Sequence, residues 1–326
     1  MDARMVRRID DAAATLERIR AAHSWETSYL QHFAALAFTV GPRPYDKEAV
    51  RALMARIRGT FGFFSTYRSA AFLLATLLLA LSEDPDRALD RLAALAPILR
   101  EERVRSYSYE PLLAAVLVRS GGMHELAAKV ERTKEVYEEL RRDHPFLTGS
   151  DDYPLAALLA VAEGPLAPKL ADVSSLYFLL HLKGLSKGNG LQLLSLILAP
   201  GGETPVRKAE RVADLQARLR DLGIRVWPQH YGALGLLALL PDPDGTAAAR
   251  AAGTVEALRL RKHYRMLDKG LLLLFAGILL ADDATAGEAP LAAGVVLEAL
   301  IQAQTAALVA ATAAATSAAS AASAGA

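Results

Sequence analysis

Two kinds of segment alternate along this chain. One kind is apolar all round: Ala70–Leu81, Leu191–Pro200, Ala233–Leu240 and Leu271–Ala281 carry almost no polar side chains. The other is amphipathic at the helical period. Within His124–Asp143, the residues Ala127, Val130, Thr133, Tyr137 and Leu140 form one stripe. Glu125/Lys129 and Lys134/Glu138 sit at i,i+4 spacing on the wet side. Val206–Leu222 repeats the pattern with Val212, Leu215, Leu219 and Leu222, and Asp86–Arg100 does so with Leu89, Leu92, Ala96 and Leu99. No stretch alternates with period two, so no sheet is expected. Glycine pairs and prolines separate the segments, among them Gly201-Gly202, Asp84-Pro85 and Thr204-Pro205.

The alternation has a period. The apolar segments open near Tyr67, Tyr109, Tyr153, Gly190, Tyr231 and Gly270, at intervals of 42, 44, 37, 41 and 39 residues. A unit of about 40 residues with two helices predicts an all-α helical-repeat array, an α-α superhelix or solenoid-like stack. An apolar helix must be covered on every side, and an amphipathic neighbour supplies that cover. The expected organisation is one all-helical repeat domain over residues 1–309. Residues 1–62 form N-terminal capping helices, 63–283 the repeats and 290–309 a C-terminal helix. Residues 310–326 form an Ala/Ser/Thr low-complexity tail.

Composition narrows the function. The chain has 326 residues, no cysteine and a formal net charge of +1. Thiolate metal sites, disulfides and cysteine nucleophiles are excluded, and the balanced charge argues against a nucleic-acid partner. The apolar runs fall short of the roughly 20 residues that span a bilayer, so a membrane location is not expected. Arg7 and Arg8 are followed by Asp10 and Asp11 rather than by an apolar stretch. That pattern predicts no secretory signal, and the cytoplasm is the expected compartment.

Two segments, Gly59–Leu78 and His144–Ala160, resemble an uncharacterised bacterial family, domain of unknown function 4003. The specific part is His-Pro-Phe-Leu-Thr followed by Asp-Asp-Tyr-Pro-Leu-Ala. The resemblance implies that nearly the whole chain is one unit. It carries no assigned activity and no catalytic residues.

Several residues are candidates for chemistry. Gly184-Leu185-Ser186-Lys187-Gly188 matches a nucleophile elbow in letters, but a helical segment precedes it where a strand is required. The bland reading is a helix–helix turn, with Lys187 and nearby N–H groups able to hold an anion. His124-Glu125 lacks the second histidine of a zinc motif at Ala128. The richest spot is the polar loop His144–Asp152. Asp151 and Asp152 precede Tyr153, and such a pair could ligate a cation or orient a polar substrate. Against this, Asp152 or Ser150 would serve as an ordinary helix cap. His181, in the last turn of a helix, and His230, before an apolar helix, complete the set. The recurrent tyrosines read first as packing wedges.

Two functions follow as expectations. The first is a scaffold that binds a protein or peptide on a concave face. The alternative is a closed all-α protein, an enzyme or a binder, with a small-molecule or metal site on the rim near His144–Asp152. No cofactor is implied by any motif.

Overall fold

The computed structural model describes residues 2–284, apart from 120, 121, 144, 146, 163, 201 and 243. The expected C-terminal helix and tail lie outside these residues. Among the described residues the fold is all-α, with fifteen α-helices. They are α1 (Ala3–Ala22), α2 (Ser28–Val40), α3 (Lys47–Thr60), α4 (Thr66–Ser69), α5 (Ala71–Leu81), α6 (Pro85–Glu101), α7 (Glu110–Arg119) and α8 (Leu126–Asp143). Then follow α9 (Tyr153–Val161), α10 (Leu166–Leu182), α11 (Asn189–Leu198), α12 (Pro205–Asp221), α13 (Tyr231–Leu239), α14 (Ala247–Arg259) and α15 (Lys269–Ala284).

The two kinds of segment become two kinds of helix. In α7 every side chain from Pro111 to Val118 is buried, and in α13 every one from Tyr231 to Ala238. In α8 only Leu126, Val130, Thr133, Val136 and Leu140 are buried. That stripe is turned slightly from the expected one: Ala127 is exposed, and Leu126 and Val136 point inward. Leucine has more apolar surface to remove from water than alanine, so the helix rotates to bury it.

Each apolar helix packs on the next. Contacts run α2 to α5, α5 to α7, α7 to α9, α9 to α11, α11 to α13 and α13 to α15, and then from α15 back to α2. The amphipathic helices stand outside, with α6 against α8, α8 against α10, α10 against α12, α12 against α14 and α14 against α1. The first three helices therefore do not stand at a free end. At the junction, His32 of α2 faces the segment that leads into α15. Its Nδ1 is 2.6 Å from the Ser28 carbonyl and its Nε2 is 3.0 Å from that of His263. The ring also stacks near Phe275 of α15. Arg261 donates to Asp10 at 2.8 Å across the same junction.

The outer helices end in a recurring way. The N–H groups of Val104, Leu185 and Ile224 bond back to the carbonyls of Leu99, Leu180 and Leu219 at 2.9, 3.1 and 2.8 Å. The residues before them, Arg103, Gly184 and Gly223, have positive φ of 55°, 95° and 77°. This is the Schellman cap, in which a left-handed residue turns the chain and an apolar residue seals the end. Glycine takes that conformation freely, whereas Arg103 holds it at a cost of about 1 kcal/mol.

His23, just after α1, is fully buried among Trp25, Tyr45 and Phe72. Neither ring nitrogen has a hydrogen-bond partner among the described residues. Burial, helped by the charges of Arg51 and Lys47, lowers its pKa to about 4. An unfolded histidine binds its proton near pH 6.5. Between pH 6.5 and 4 the unfolded chain thus holds a proton that the folded chain rejects, and stability falls as pH falls. The expected loss is on the order of 2 kcal/mol. In a His23→Phe variant, urea melts at pH 4.5 and 7 should lose this component of the acid slope.

Candidate functional site

The loops that lead from an outer helix into the next inner helix share one rim. Neighbouring loops touch in turn. The turn Tyr107–Tyr109 packs on the turn Ser150–Asp152. The Ser186 N–H donates to the Tyr231 hydroxyl at 3.1 Å. Gly190 lies against the Pro228 carbonyl. His230 Nε2 lies 3.1 Å from Asp268 Oδ1. Inner helices therefore present their N-terminal ends together.

Asp152 is the buried acid on this rim. It does not cap α9, contrary to the simplest expectation: its carboxylate makes no bond to that helix's N–H groups. Instead it turns back, and Oδ2 accepts from the Gly149 N–H at 2.8 Å. The reason is local, because the short turn Ser150–Asp152 continues directly into α9 and leaves Asp152 already helical. Its Oδ1 faces Gln192 Nε2 of α11 at 3.5 Å, and Gln192 also donates to Thr148 Oγ1 at 3.2 Å. Thr148 in turn donates to the Leu140 carbonyl at 3.1 Å. Burial raises the Asp152 pKa to about 7; the Gly149 N–H opposes that rise and the neighbouring Asp151 adds to it.

Gln192 is only 1% exposed, and its Oε1 has no partner among the described residues. Exchanging the amide's two ends does not help. One end always meets Thr148 and Asp152, and the other always meets nothing. A buried polar atom left in this state costs about 1–3 kcal/mol.

The other candidates are dispersed. Tyr153 is buried and stacks on Tyr137, with ring centroids 3.8 Å apart. Asp151 is half-buried beside Gly149. His181 Nδ1 lies 3.0 Å from the Leu185 carbonyl and closes the end of α10. Lys187 is exposed in the turn into α11, which joins two helices and has no strand before it. His230 pairs with Asp268, whose Oδ1 also accepts from the N–H groups of Gly270 and Leu271 at the start of α15. Burial lowers the His230 pKa and Asp268 raises it. Asp152 faces Gln192 of α11, whereas His230 pairs with Asp268 before α15. His144 lies outside the described residues. No group of three His, Asp or Glu side chains among the described residues is placed to hold a metal ion.

A family model for a protein of unknown function, DUF4003, matches residues 15–314. The chain belongs to that family. An uncharacterized protein, YeaA of Bacillus subtilis (strain 168), is 25% identical over 227 residues, covering 68% of each chain. No solved structure matches.

The DUF4003 match includes a second polar spot that the sequence did not single out. Glu110 opens α7 at the edge of a cleft of about 500 Å³, lined also by Phe63, Phe64, Tyr67 and Arg100. Burial raises the Glu110 pKa, while Tyr67 and Arg100 oppose the rise. Tyr67 is held above its ordinary range by burial and then by the Glu110 charge. A lone acid at the head of an otherwise apolar helix was the available signal. Gln192 gave less: a single amide within Leu191–Leu194 looks like an ordinary helix residue until the fold places it against Asp152.

Proposed function

We propose that this DUF4003 protein is a closed toroid of seven helical hairpins that binds a small polar molecule on the rim at Asp152 and Gln192. The pairing of one amphipathic with one apolar helix supports the repeat, and so do the recurring Schellman caps. The contact of α15 with α2 supports closure. It also moves support away from a peptide-binding scaffold, because that reading relied on an open concave face.

The observation that carries the site is the half-satisfied amide of Gln192. A ligand with an N–H or O–H group would pair with Oε1 and recover the cost of leaving it bare. Asp152, titrating at about 7, would either accept a charge-assisted bond or exchange a proton at neutral pH, as a general acid or base must. Metal ligation has less support, since the hydrogen-bond partners of Asp152 are the Gln192 amide and the Gly149 backbone N–H.

The test is a thermal-shift screen of amines, amides, polyols and nucleosides, run on the native protein and on Gln192→Leu. A compound at 100 times its Kd adds about 2.7 kcal/mol. The native protein should shift by several degrees with a compound that leaves Gln192→Leu unmoved. Leucine also removes the amide's bonds to Thr148 and Asp152, so each protein's shift is read against its own melting temperature without compound. Equal shifts in both proteins, or none in either, would count against this site.

A further inference from the structure

The same rim carries a second property, in its exposed side chains. Phe64 is 98% exposed, Met266 89%, Phe63 75% and Trp25 63%, and Tyr107 and Trp227 are also exposed. All six lie in loops that enter inner helices. Among the described residues the opposite rim exposes only Met123 and Val206 of the large apolar side chains. Large apolar groups left in water on one side mark a contact surface.

Cations accompany most of them, whereas the loop of Trp25 carries Glu26, to which the indole N–H donates at 3.1 Å. Arg68 lies over Phe63 at 5.4 Å, and Arg225 over Trp227 at 4.0 Å. Arg103 and Arg105 are exposed beside Tyr107, and Lys262 and Arg265 beside Met266. Lys183 and Lys187 are exposed in the loop before α11. The opposite rim carries acids at its turns, including Glu83, Asp84, Glu203, Asp242 and Asp244. Cations at the ends of the outer helices suit the helix dipole, but the dipole does not account for exposed aromatic rings beside them.

We propose that this rim docks on an anionic membrane surface. Aromatic and methionine side chains would enter the headgroup layer, where tryptophan and tyrosine are favoured. The arginines and lysines would face lipid phosphates. Such docking needs no spanning helix, and no described helix is long and apolar enough to be one. The charge pattern favours this occupant over an uncharged protein surface. An acidic protein or the acidic rim of a second copy offers the same charge, and the experiment separates both from lipid.

The chain contains two tryptophans, Trp25 and Trp227, and both lie on this rim. Intrinsic fluorescence therefore reports on it directly. The full-length protein is mixed with vesicles of phosphatidylcholine alone, or with a third of the lipid replaced by phosphatidylglycerol. Co-sedimentation and a blue shift in emission are expected with the anionic vesicles only. Salt at 0.5 M should weaken the binding at least tenfold. The triple variant Phe63→Ser/Phe64→Ser/Met266→Ser should weaken it tenfold or more while keeping the native melting temperature. Absence of binding to anionic vesicles at low salt would overturn the proposal. So would equal binding to both vesicle types, or binding that the triple variant retains. A blue shift that grows with protein concentration in the absence of lipid, with light scattering showing association, would assign the rim to a second copy instead.

Discussion

Replacing Asp152 with asparagine should stabilise the protein at pH 8 and leave its stability at pH 4 almost unchanged. The Asp152 carboxyl titrates at about 7 in the folded chain, against about 3.9 when unfolded. Between these values the folded state holds a proton that the unfolded state has released. Stability therefore falls as pH rises from about 4 to 7, and stays lowered above that. Asparagine cannot ionise, and its carbonyl can still accept from the Gly149 N–H. The gain at pH 8 should be about 2–3 kcal/mol, or roughly 5 °C in Tm for a chain of this size. Melts of both proteins from pH 4 to 8 would check it. Parallel curves would mean that Asp152 ionises as readily as a surface acid. A residue that costs stability at neutral pH is what a binding site would keep and a mere helix cap would not. The comparison thus bears on the proposed ligand as well as on the fold.

Substituting Gly190 with alanine should have the largest destabilising effect. Gly190 lies in the first turn of α11, where an added Cβ would come within 2.0 Å of the Pro228 carbonyl oxygen. That oxygen belongs to the turn Pro228–His230, which leads into α13. It cannot rotate away as a side chain would, so two inner helices must separate. A loss of about 3 kcal/mol or more is expected, at the upper end of overpacking effects. Gly41→Ala provides a matching case between α2 and α5, with the Ala80 carbonyl 2.0 Å from the new Cβ. Gly253→Ala is the control. Nothing lies within 4 Å of its Cβ, and alanine within α14 should add about 0.5–1 kcal/mol. Chemical denaturation of the three variants would rank them. A Gly190→Ala protein as stable as the native one would show that the helices around it yield easily.

The helices and their two classes were legible in the chain, because each follows from local periodicity. An all-apolar run such as Leu271–Ala281 has no side that tolerates water, and α15 is buried there accordingly. The stripe of α6 follows its periodicity, and Leu89, Leu92, Ala96 and Leu99 are all buried. Where alanine competed with leucine, as in α8, periodicity alone chose the wrong neighbour. The polar loop before Tyr153 stood out as unusual, yet the role of Asp152 within it did not. Capping is a local rule, and it accounts for the bond from the Gly149 N–H to Asp152 but not for the side chain 40 residues away on α11 that faces the other carboxylate oxygen.

The sequence by itself determined an all-α chain in which wholly apolar helices alternate with half-polar ones, because those properties depend on neighbours within one or two helical turns. Tertiary structure alone decided that α15 meets α2, that Gln192 stands with one end of its amide bare, and that the exposed aromatics gather on one rim. Each of these depends on residues far apart in the chain. The packing of each helix on helices distant in the chain brings them together, and no local pattern of residues encodes that packing.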